Sequence, residues 1–433
     1  MNNNWRKGIF WFLDALKGSK VKSHYDDIKF QYKYFNNKES FHKRNKDLNS
    51  LLKFTCENVN IYKNIDTRNG INSFPIINKS IIKENINDFL VKDLKNKKSY
   101  PTTTSGSTGT PFTVYRDLNK VKRHQAENIF FQELAGYSLG SKLYYLRVWN
   151  EVNRKTFLKR VFQNIRTIEI SNLSGDNIKK IILDLEKDKS ESSILSFASS
   201  LEIIARFIER HNLKFKSNNV KSIITMSEPI TSNARHILED FFGSPVVSRY
   251  SNMENGFIAQ QELNDSVYRI NHASFYIEIF HIEQDKLVEN GELGRIVITD
   301  LFNYAMPLIR YDTGDLGRIK VNIDNTPYLS DIEGRRVDFI TNTKGQILSP
   351  HTITNTMWKF SDILQFQFIQ HNKKKYMIKI NIDSDEYKKE EILILDLKEY
   401  LGQDASIEVE IVHEIPLLSS GKRKKIVNLM HTT

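Results

Sequence analysis

The sequence predicts an α/β fold in two parts, a large N-terminal α/β domain and a small α+β C-terminal domain. Three observations predict it. The stretch from 221 to 250 runs strand, loop, helix, strand. After Gly334 the pattern changes to short alternating strands around one helix. The 433 residues, 39% hydrophobic and 27% charged, are enough for more than one domain and a large core.

Each element has a local reason. Residues 5 to 17 place aromatic and aliphatic side chains at helical spacing, with Arg6, Lys7 and Lys17 alongside. Trp5, Phe10, Trp11 and Phe12 are expected to pack on the body, or to touch a membrane-bound or biosynthetic-complex partner. The stripe is too short to anchor the chain by itself, and Asp14 interrupts it. Residues 120–135 and 177–211 read as helices. Lys221-Ser-Ile-Ile-Thr-Met226 reads as a short buried strand. Thr231 or Ser232 can cap a helix through Phe242, and Pro245-Val-Val-Ser-Arg-Tyr250 is the next strand. This rhythm argues for a partly parallel sheet. Ligands of such sheets sit beyond the carboxyl ends of strands, which points to the loops 227–230 and 251–256.

In the last hundred residues Phe366 and Phe368 alternate with polar neighbours, and 371–375 make a polar turn. Tyr376 to Ile382 alternates again, a helix fits Glu390 to Leu401 closed by Gly402, and Ile407, Val409 and Ile411 form a last strand. The expected domains are 1–334 and 335–433.

Several classes are excluded or disfavoured. No apolar run of about eighteen residues exists, so no spanning helix is expected. The start lacks a secretory cleavage pattern. The single Cys56 excludes an internal disulfide framework and a cysteine-based zinc site, and a cytoplasmic location is expected. The net charge of +11 is spread among 52 acids and has no aromatic-interleaved basic strand, so no nucleic-acid partner is expected.

The densest chemical signal is Thr102-Thr-Thr-Ser-Gly-Ser-Thr-Gly-Thr-Pro111. Glycines allow close backbone approach, and hydroxyls with N–H groups can cradle phosphates. No Gly-Lys-Ser/Thr follows at Walker spacing. By itself this loop reads as a linker. Tyr250-Ser-Asn-Met-Glu254, Tyr311-Asp-Thr-Gly-Asp315, Gly334-Arg335 with Asp338, and Ser420-Gly421-Lys422 follow in order, and Ser227-Glu-Pro-Ile230 precedes them. Singly, Asp315 reads as a turn brace, Tyr250 as a strand aromatic, Arg335 as a surface ion-pair partner and Lys422 as part of a basic tail.

In this order the segments resemble the signature segments of the acyl-adenylate-forming superfamily. The closer resemblance is to its phenylacetate-CoA-ligase-like branch, including the CapK type found in capsular polysaccharide clusters. Val59-Asn-Ile-Tyr62 and Phe74-Pro-Ile-Ile-Asn-Lys79 support that branch, and the resemblance spans nearly all the chain after about residue 48. It implies the adenylate-forming architecture, with ATP and Mg2+ and a small carboxylic acid as substrate. The acid would be joined to AMP and then passed to a thiol such as coenzyme A. An amino-sugar acceptor, or a nucleotide-binding relative without catalysis, are the alternatives.

The resemblance also assigns roles. Thr104, Ser105, Gly106, Ser107, Thr108 and Gly109 would hold the β- and γ-phosphates. Glu228 and Pro229 would line the adenine pocket, and Tyr250 would stack on the base. Asp315 would bind the ribose, Arg335 ribose or phosphate, and Glu254 the Mg2+. Lys422 would bridge the carboxylate and the α-phosphate. Four positions depart from the pattern. Ser227 and Ser251 stand where glycine is usual, Met253 where a hydroxyl is usual, and Val337 where a charged hinge residue is common.

Overall fold

The computed structural model describes residues 4–92, 98–104, 112–149, 154–335, 338–418 and 422–431. They fall into two compact units, Met1–Gly140 with Arg249–Ile332, and Ser141–Ser248 with Glu333–Thr433.

In the first unit, helices Asn4–Leu16, Lys20–Lys33, Lys38–Asn58 and Leu118–Leu134 accompany an antiparallel sheet. Phe275–Phe280 pairs with Gly294–Asp300, and that strand pairs with Tyr311–Val321. Pro327–Arg335 pairs with Tyr268–Ile270, which pairs with Gly256–Gln261. None of these strands after residue 255 was legible in the sequence. The helix Leu118–Leu134 begins where Asp117 accepts the N–H of Lys120 at 2.8 Å. The other carboxylate oxygen of Asp117 accepts the N–H of Tyr304 at 2.9 Å, tying the helix start to a distant loop.

That helix turns charge inward. Lys120, Arg123 and Glu127 are fully buried. The Lys120 ammonium lies 2.8 Å from Asp300 and 4.7 Å from the centre of the Phe275 ring. Arg123 donates to Ser274 Oγ at 2.8 Å, to the Ala273 carbonyl at 2.6 Å and to Asp27 at 2.5 Å. Burial alone would push the Glu127 carboxyl up. The charge of Lys120 and the contact with His124 outweigh it and bring the group to about 2.

The N-terminal stripe is only half docked. Phe10 and Trp11 pack against the core around Ile28 and Phe130, as expected. Trp5 and Phe12 face outward, 53% and 63% exposed, so for those two the packing alternative does not hold. The reason is geometric. A helix can turn only one side to the body, and these residues lie on the other side.

The second unit holds the parallel strands. Lys142–Arg147 pairs in parallel with Ile165–Glu169 and with Ser192–Phe197, and the latter pairs in parallel with Val220–Met226. Ser192–Phe197 interrupts the stretch 177–211 expected as helical. The helices are Gly175–Lys187 and Ala198–Arg210. All six strand residues are buried, so the alternation that marks a half-exposed strand is missing. The hydroxyl of Ser222 donates to that of Ser193 at 3.1 Å, which lets serines serve as core residues here. The helix Ser232–Phe242 starts where expected, yet Thr231 makes no side-chain cap bond. Its backbone N–H goes instead to Glu202 at 3.1 Å.

Residues after 338 have their own core, with Phe368, Ile378, Leu393 and Leu397 at its centre. Their sheet runs Ser406–Ile411, Lys375–Asn381, Gln365–Gln370, Ile426–Asn428. The strand Ile426–Asn428 lies beyond the one expected to be last. Gly402 closes the helix Glu390–Leu401 as expected, at φ 113°, and a Cβ there would meet Thr343 Oγ1 at 2.2 Å. By contacts this region groups with Ser141–Ser248. Arg206 donates to the carbonyls of Phe360 and Met357 at 3.1 and 3.0 Å and lies 4.2 Å from the Trp358 ring.

A pH dependence follows from His272. Its Nε2–H donates to the Pro327 carbonyl at 3.0 Å, and its ring lies 4.5 Å from that of Phe35. Burial lowers the imidazole to about 4, from an ordinary 6.5. The unfolded chain therefore takes up this proton at a higher pH than the folded one. The contribution is fully present above about pH 6.5 and is lost as pH falls towards 4. Denaturant titrations across that window should show up to about one extra proton bound on unfolding. The His272→Gln variant should lack that slope, and equal slopes in the two proteins would contradict it.

Candidate active site

The segment Tyr311-Asp-Thr-Gly-Asp315 is a built turn inside a strand. Asp312 Oδ1 accepts the N–H of Gly314 at 2.9 Å, and Oδ2 accepts from Arg295 at 2.9 Å. Thr313 Oγ1 donates to the Ile296 carbonyl at 2.9 Å and accepts the N–H of Asp315 at 3.1 Å. Gly314 sits at φ 78°, where a side chain is strained, which explains glycine at this point. The turn aims Asp315 at Tyr250, whose hydroxyl donates to Asp315 Oδ2 at 2.7 Å.

Tyr250 is 8% exposed and lies at the end of the strand Val246–Asn252. Burial, then the charge of Asp315, raises its phenol well above the ordinary range. It is therefore a fixed proton donor at neutral pH. One oxygen of Asp315 is engaged by this bond.

Glu254 sits on a half-buried loop braced on two sides. Asn252 Oδ1 accepts the N–H of Asn255 at 2.7 Å, and Arg116 donates to the Met253 carbonyl at 2.5 Å. Burial lowers the Arg116 guanidinium, against the charges of Asp300, Glu127 and Glu254. Met253 is half exposed and supplies no side-chain oxygen, so Glu254 is the carboxylate this loop offers. Among the described residues no group of three or more His, Cys, Asp or Glu could hold a metal ion. Glu254 thus fits magnesium only in the way one carboxylate does when nucleotide phosphates supply further ligands.

The strand Tyr100–Thr104 pairs antiparallel with Phe112–Arg116, Thr104 opposite Phe112. Ser105, Gly106, Ser107, Thr108 and Gly109, which follow Thr104, lie outside the described residues.

The second unit carries the other candidates. Ser227 adopts φ 73°, the left-handed region, at the position where the related pattern has glycine. A non-glycine residue in that region costs about 1 kcal/mol or more. Glu228 Oε2 accepts the N–H of Ser199 at 3.1 Å, at the start of the helix Ala198–Arg210. Pro229 follows it, half buried. Lys422 Nζ donates to the Ser227 carbonyl at 3.4 Å, so the lysine and the 227–229 loop are neighbours in this unit. Arg335 is exposed at the end of the strand Pro327–Arg335.

The two lysines after Lys422 are not a solvated tail. Lys424 pairs with Asp338 at 2.9 Å, and Lys425 pairs with Glu202, which is 6% exposed at its side chain. Sequence reasoning missed Arg116, Glu202 and Arg206. None lies in a readable motif, and each acts on residues distant in the chain.

With this geometry in view the relatives can be compared. The architecture is that of the adenylate-forming CoA ligases. A 2-hydroxyisobutyryl-CoA ligase, in the postadenylation state in complex with 2-HIB-AMP, superposes with a TM-score of 0.70 at 13% identity, covering 91% of this chain and 90% of that one. The anthranilate CoA ligase AuaEII in complex with anthranoyl-AMP gives 0.54 at 14% identity, covering 75% and 66%. Residues 339–429 match the family described as CapK C-terminal domain. Over 437 residues the chain is 24% identical to Protein CapK of Staphylococcus aureus, covering 95% of this chain and 94% of that protein. Over 274 residues it is 25% identical to a phenylacetate-coenzyme A ligase of Aromatoleum evansii, covering 59% and 62%. The chain is thus homologous to CapK and to phenylacetate-CoA ligase, and the resemblance read from its motifs holds.

The ion pairs around Lys422 predict unequal effects on stability. Lys425→Ala leaves Glu202 without its cation in a mostly buried position, and should cost about 1–3 kcal/mol. Lys424→Ala removes a more exposed pair and should cost under about 1 kcal/mol. Thermal melts of the two variants make the comparison. Equal shifts would mean that the Glu202 pair contributes no more than a surface contact.

Proposed function

We propose that this protein activates a small carboxylic acid with ATP, forming an acyl-adenylate, and then passes the acyl group to a thiol such as coenzyme A. The observation that carries the reading is the Tyr250–Asp315 hydrogen bond on its braced Asp312–Gly314 turn. It presents a carboxylate, oriented and partly engaged, at the motif position where the related enzymes bind ribose. The bound acyl-AMP ligands of the structural relatives support the same chemistry.

In the proposed first step a carboxylate oxygen of the acid attacks the α-phosphorus of ATP. A new P–O bond forms, the bond to the bridging oxygen breaks, and pyrophosphate leaves with the electron pair. Both reactants are anions, so the protein's task is positioning and charge neutralisation. Asp315 would accept hydrogen bonds from the ribose hydroxyls, while Tyr250 keeps it aimed and borders the adenine. Glu228 and Pro229 would line the adenine side, and Arg335 would reach ribose or phosphate with its forked donors. Thr104 and the residues 105–109 would hold the outer phosphates. Lys422 would neutralise charge growing between the incoming carboxylate and the α-phosphate. Glu254 would hold magnesium together with the nucleotide's phosphates, and the ion would supply electrostatic screening of the triphosphate.

In the proposed second step the thiol sulfur attacks the acyl carbonyl of the adenylate. A C–S bond forms, AMP departs, and the thiol proton passes to solvent. Lys422 has no part in that step.

A carboxylate panel in ATP–pyrophosphate exchange tests the reading, because exchange requires reversible adenylation. At least one acid should support exchange. Asp315→Ala should weaken ATP binding, and unchanged ATP affinity in the folded variant would sink the ribose role. Lys422→Ala should slow exchange roughly a hundredfold to a thousandfold while sparing thiol transfer from a preformed acyl-adenylate. Lys424 and Lys425 cannot serve as neutral controls, since both are ion-paired. An equal loss in both half-reactions would remove Lys422 from the adenylation step.

A further inference from the structure

The helix Asn4–Leu16 has two apolar faces, and only one is used. On the inner face Phe10 and Trp11 pack edge to face at 5.0 Å, and Trp11 reaches Tyr25 at 5.5 Å. Lys7 pairs with Glu133 at 2.8 Å. Asp14, 6% exposed, accepts the N–H groups of Val21 and Lys22 at 3.2 and 2.8 Å, capping the start of the next helix. Asp14 is therefore a structural residue turned inward, and it does not break the outer face. These contacts hold the helix in one orientation.

On the opposite side stand Trp5, Ile9, Phe12, Leu13 and Leu16, exposed by 53%, 38%, 63%, 38% and 70%. At about 100° per residue they form one continuous stripe roughly 100° wide and about 20 Å long. Scattered apolar residues on a surface need no explanation, but a contiguous rigid stripe of five does. Cations border it. By the same helical geometry Arg6 lies along the Leu13 edge, its guanidinium 4.3 Å from the Trp5 ring, and Lys17 is exposed just past the helix end. Lys20 is exposed at the start of the next helix, where the neighbouring Lys22 is paired with Asp26. Residues 4–22 carry five basic side chains and one acidic one, Asp14.

We propose that this stripe docks on the surface of an anionic phospholipid bilayer, with the helix lying in the plane of the headgroups. The combination fits that partner. Aromatic and aliphatic side chains enter the acyl boundary, the cationic edge meets lipid phosphates, and the acid that would oppose them is capped away. The helix is too short to cross: among the described residues none is long and apolar enough to span a membrane. A second copy of the chain is the competing occupant. A twofold contact through the stripe would bring the Arg6 and Lys17 edges of two copies together, with no acid on the stripe to receive them. This inference does not depend on the proposed reaction.

The test uses the full-length protein and vesicles of phosphatidylcholine alone or mixed with phosphatidylglycerol. In co-sedimentation the chain should bind the anionic vesicles and remain largely in solution with the neutral ones. The double variant Phe12→Ser, Leu16→Ser should lower vesicle affinity at least about tenfold. The variant Arg6→Glu, Lys17→Glu should reduce the preference for anionic lipid by roughly fivefold or more per site, as should added salt. Phe12 and Leu16 are exposed, so the melting temperature and any acid-dependent pyrophosphate exchange of the Phe12→Ser, Leu16→Ser variant should stay unchanged. Vesicle binding equal in the wild-type and Phe12→Ser, Leu16→Ser proteins would overturn the proposal. So would no binding to either vesicle, or lipid-free self-association that the same variant abolishes.

Discussion

The first unit is organised around an ion pair taken out of water. Removing Lys120 and Asp300 from solvent costs several kcal/mol for each ion, which only a fixed partner geometry offsets. That requirement locks the helix Leu118–Leu134 to the strand Gly294–Asp300. Arg123 adds three donors to the same joint and reaches the chain reversal at Ala273 and Ser274. The strand so positioned supplies Arg295 and the Ile296 carbonyl, which hold Asp312 and Thr313. Asp315 inherits its direction from those bonds. On the other side Arg116, one residue before the capping Asp117, holds the loop that carries Glu254. One buried pair thus constrains both carboxylates proposed to meet the nucleotide.

The second unit uses charge in a related way but nearer to water. Glu202 receives the backbone N–H of Thr231 on one oxygen and Lys425 on the other. Arg206, one helical turn on, clasps two carbonyls and the Trp358 ring. The helix Ala198–Arg210 therefore grips residues from 357 to 425 and presents its first turn to Glu228. Lys422 lies three residues before Lys425, against the Ser227 carbonyl. Ser227, at φ 73°, holds the left-handed backbone that glycine adopts most readily.

Much of the candidate site was legible because its residues lie in short, ordered segments. Asp315, Tyr250, Glu254, Glu228 and Lys422 were all named as candidates that way. The turn chemistry of Asp-Thr-Gly-Asp is local, and a local hydrogen-bond pattern leaves a readable trace. Arg116, Glu202 and Arg206 left none, since their partners lie 29 or more residues away. The strand Ser192–Phe197 was hidden for a different reason. Full burial on both faces erases the alternation by which strands are recognised.

The sequence alone determined the fold class, the helices Asn4–Leu16 and Glu390–Leu401, the alternating strands of the C-terminal region and the order of the chemical segments. All of these depend on periodicity or on neighbours within a few residues, and that information is written along the chain. Only the tertiary structure decided that Tyr250 holds Asp315, that Lys425 is committed to Glu202, and that Asp14 faces inward while Phe12 faces out. These are choices of which face is buried and which distant groups meet. A sequence specifies them through the sum of many weak contacts, and no single residue or spacing carries the answer.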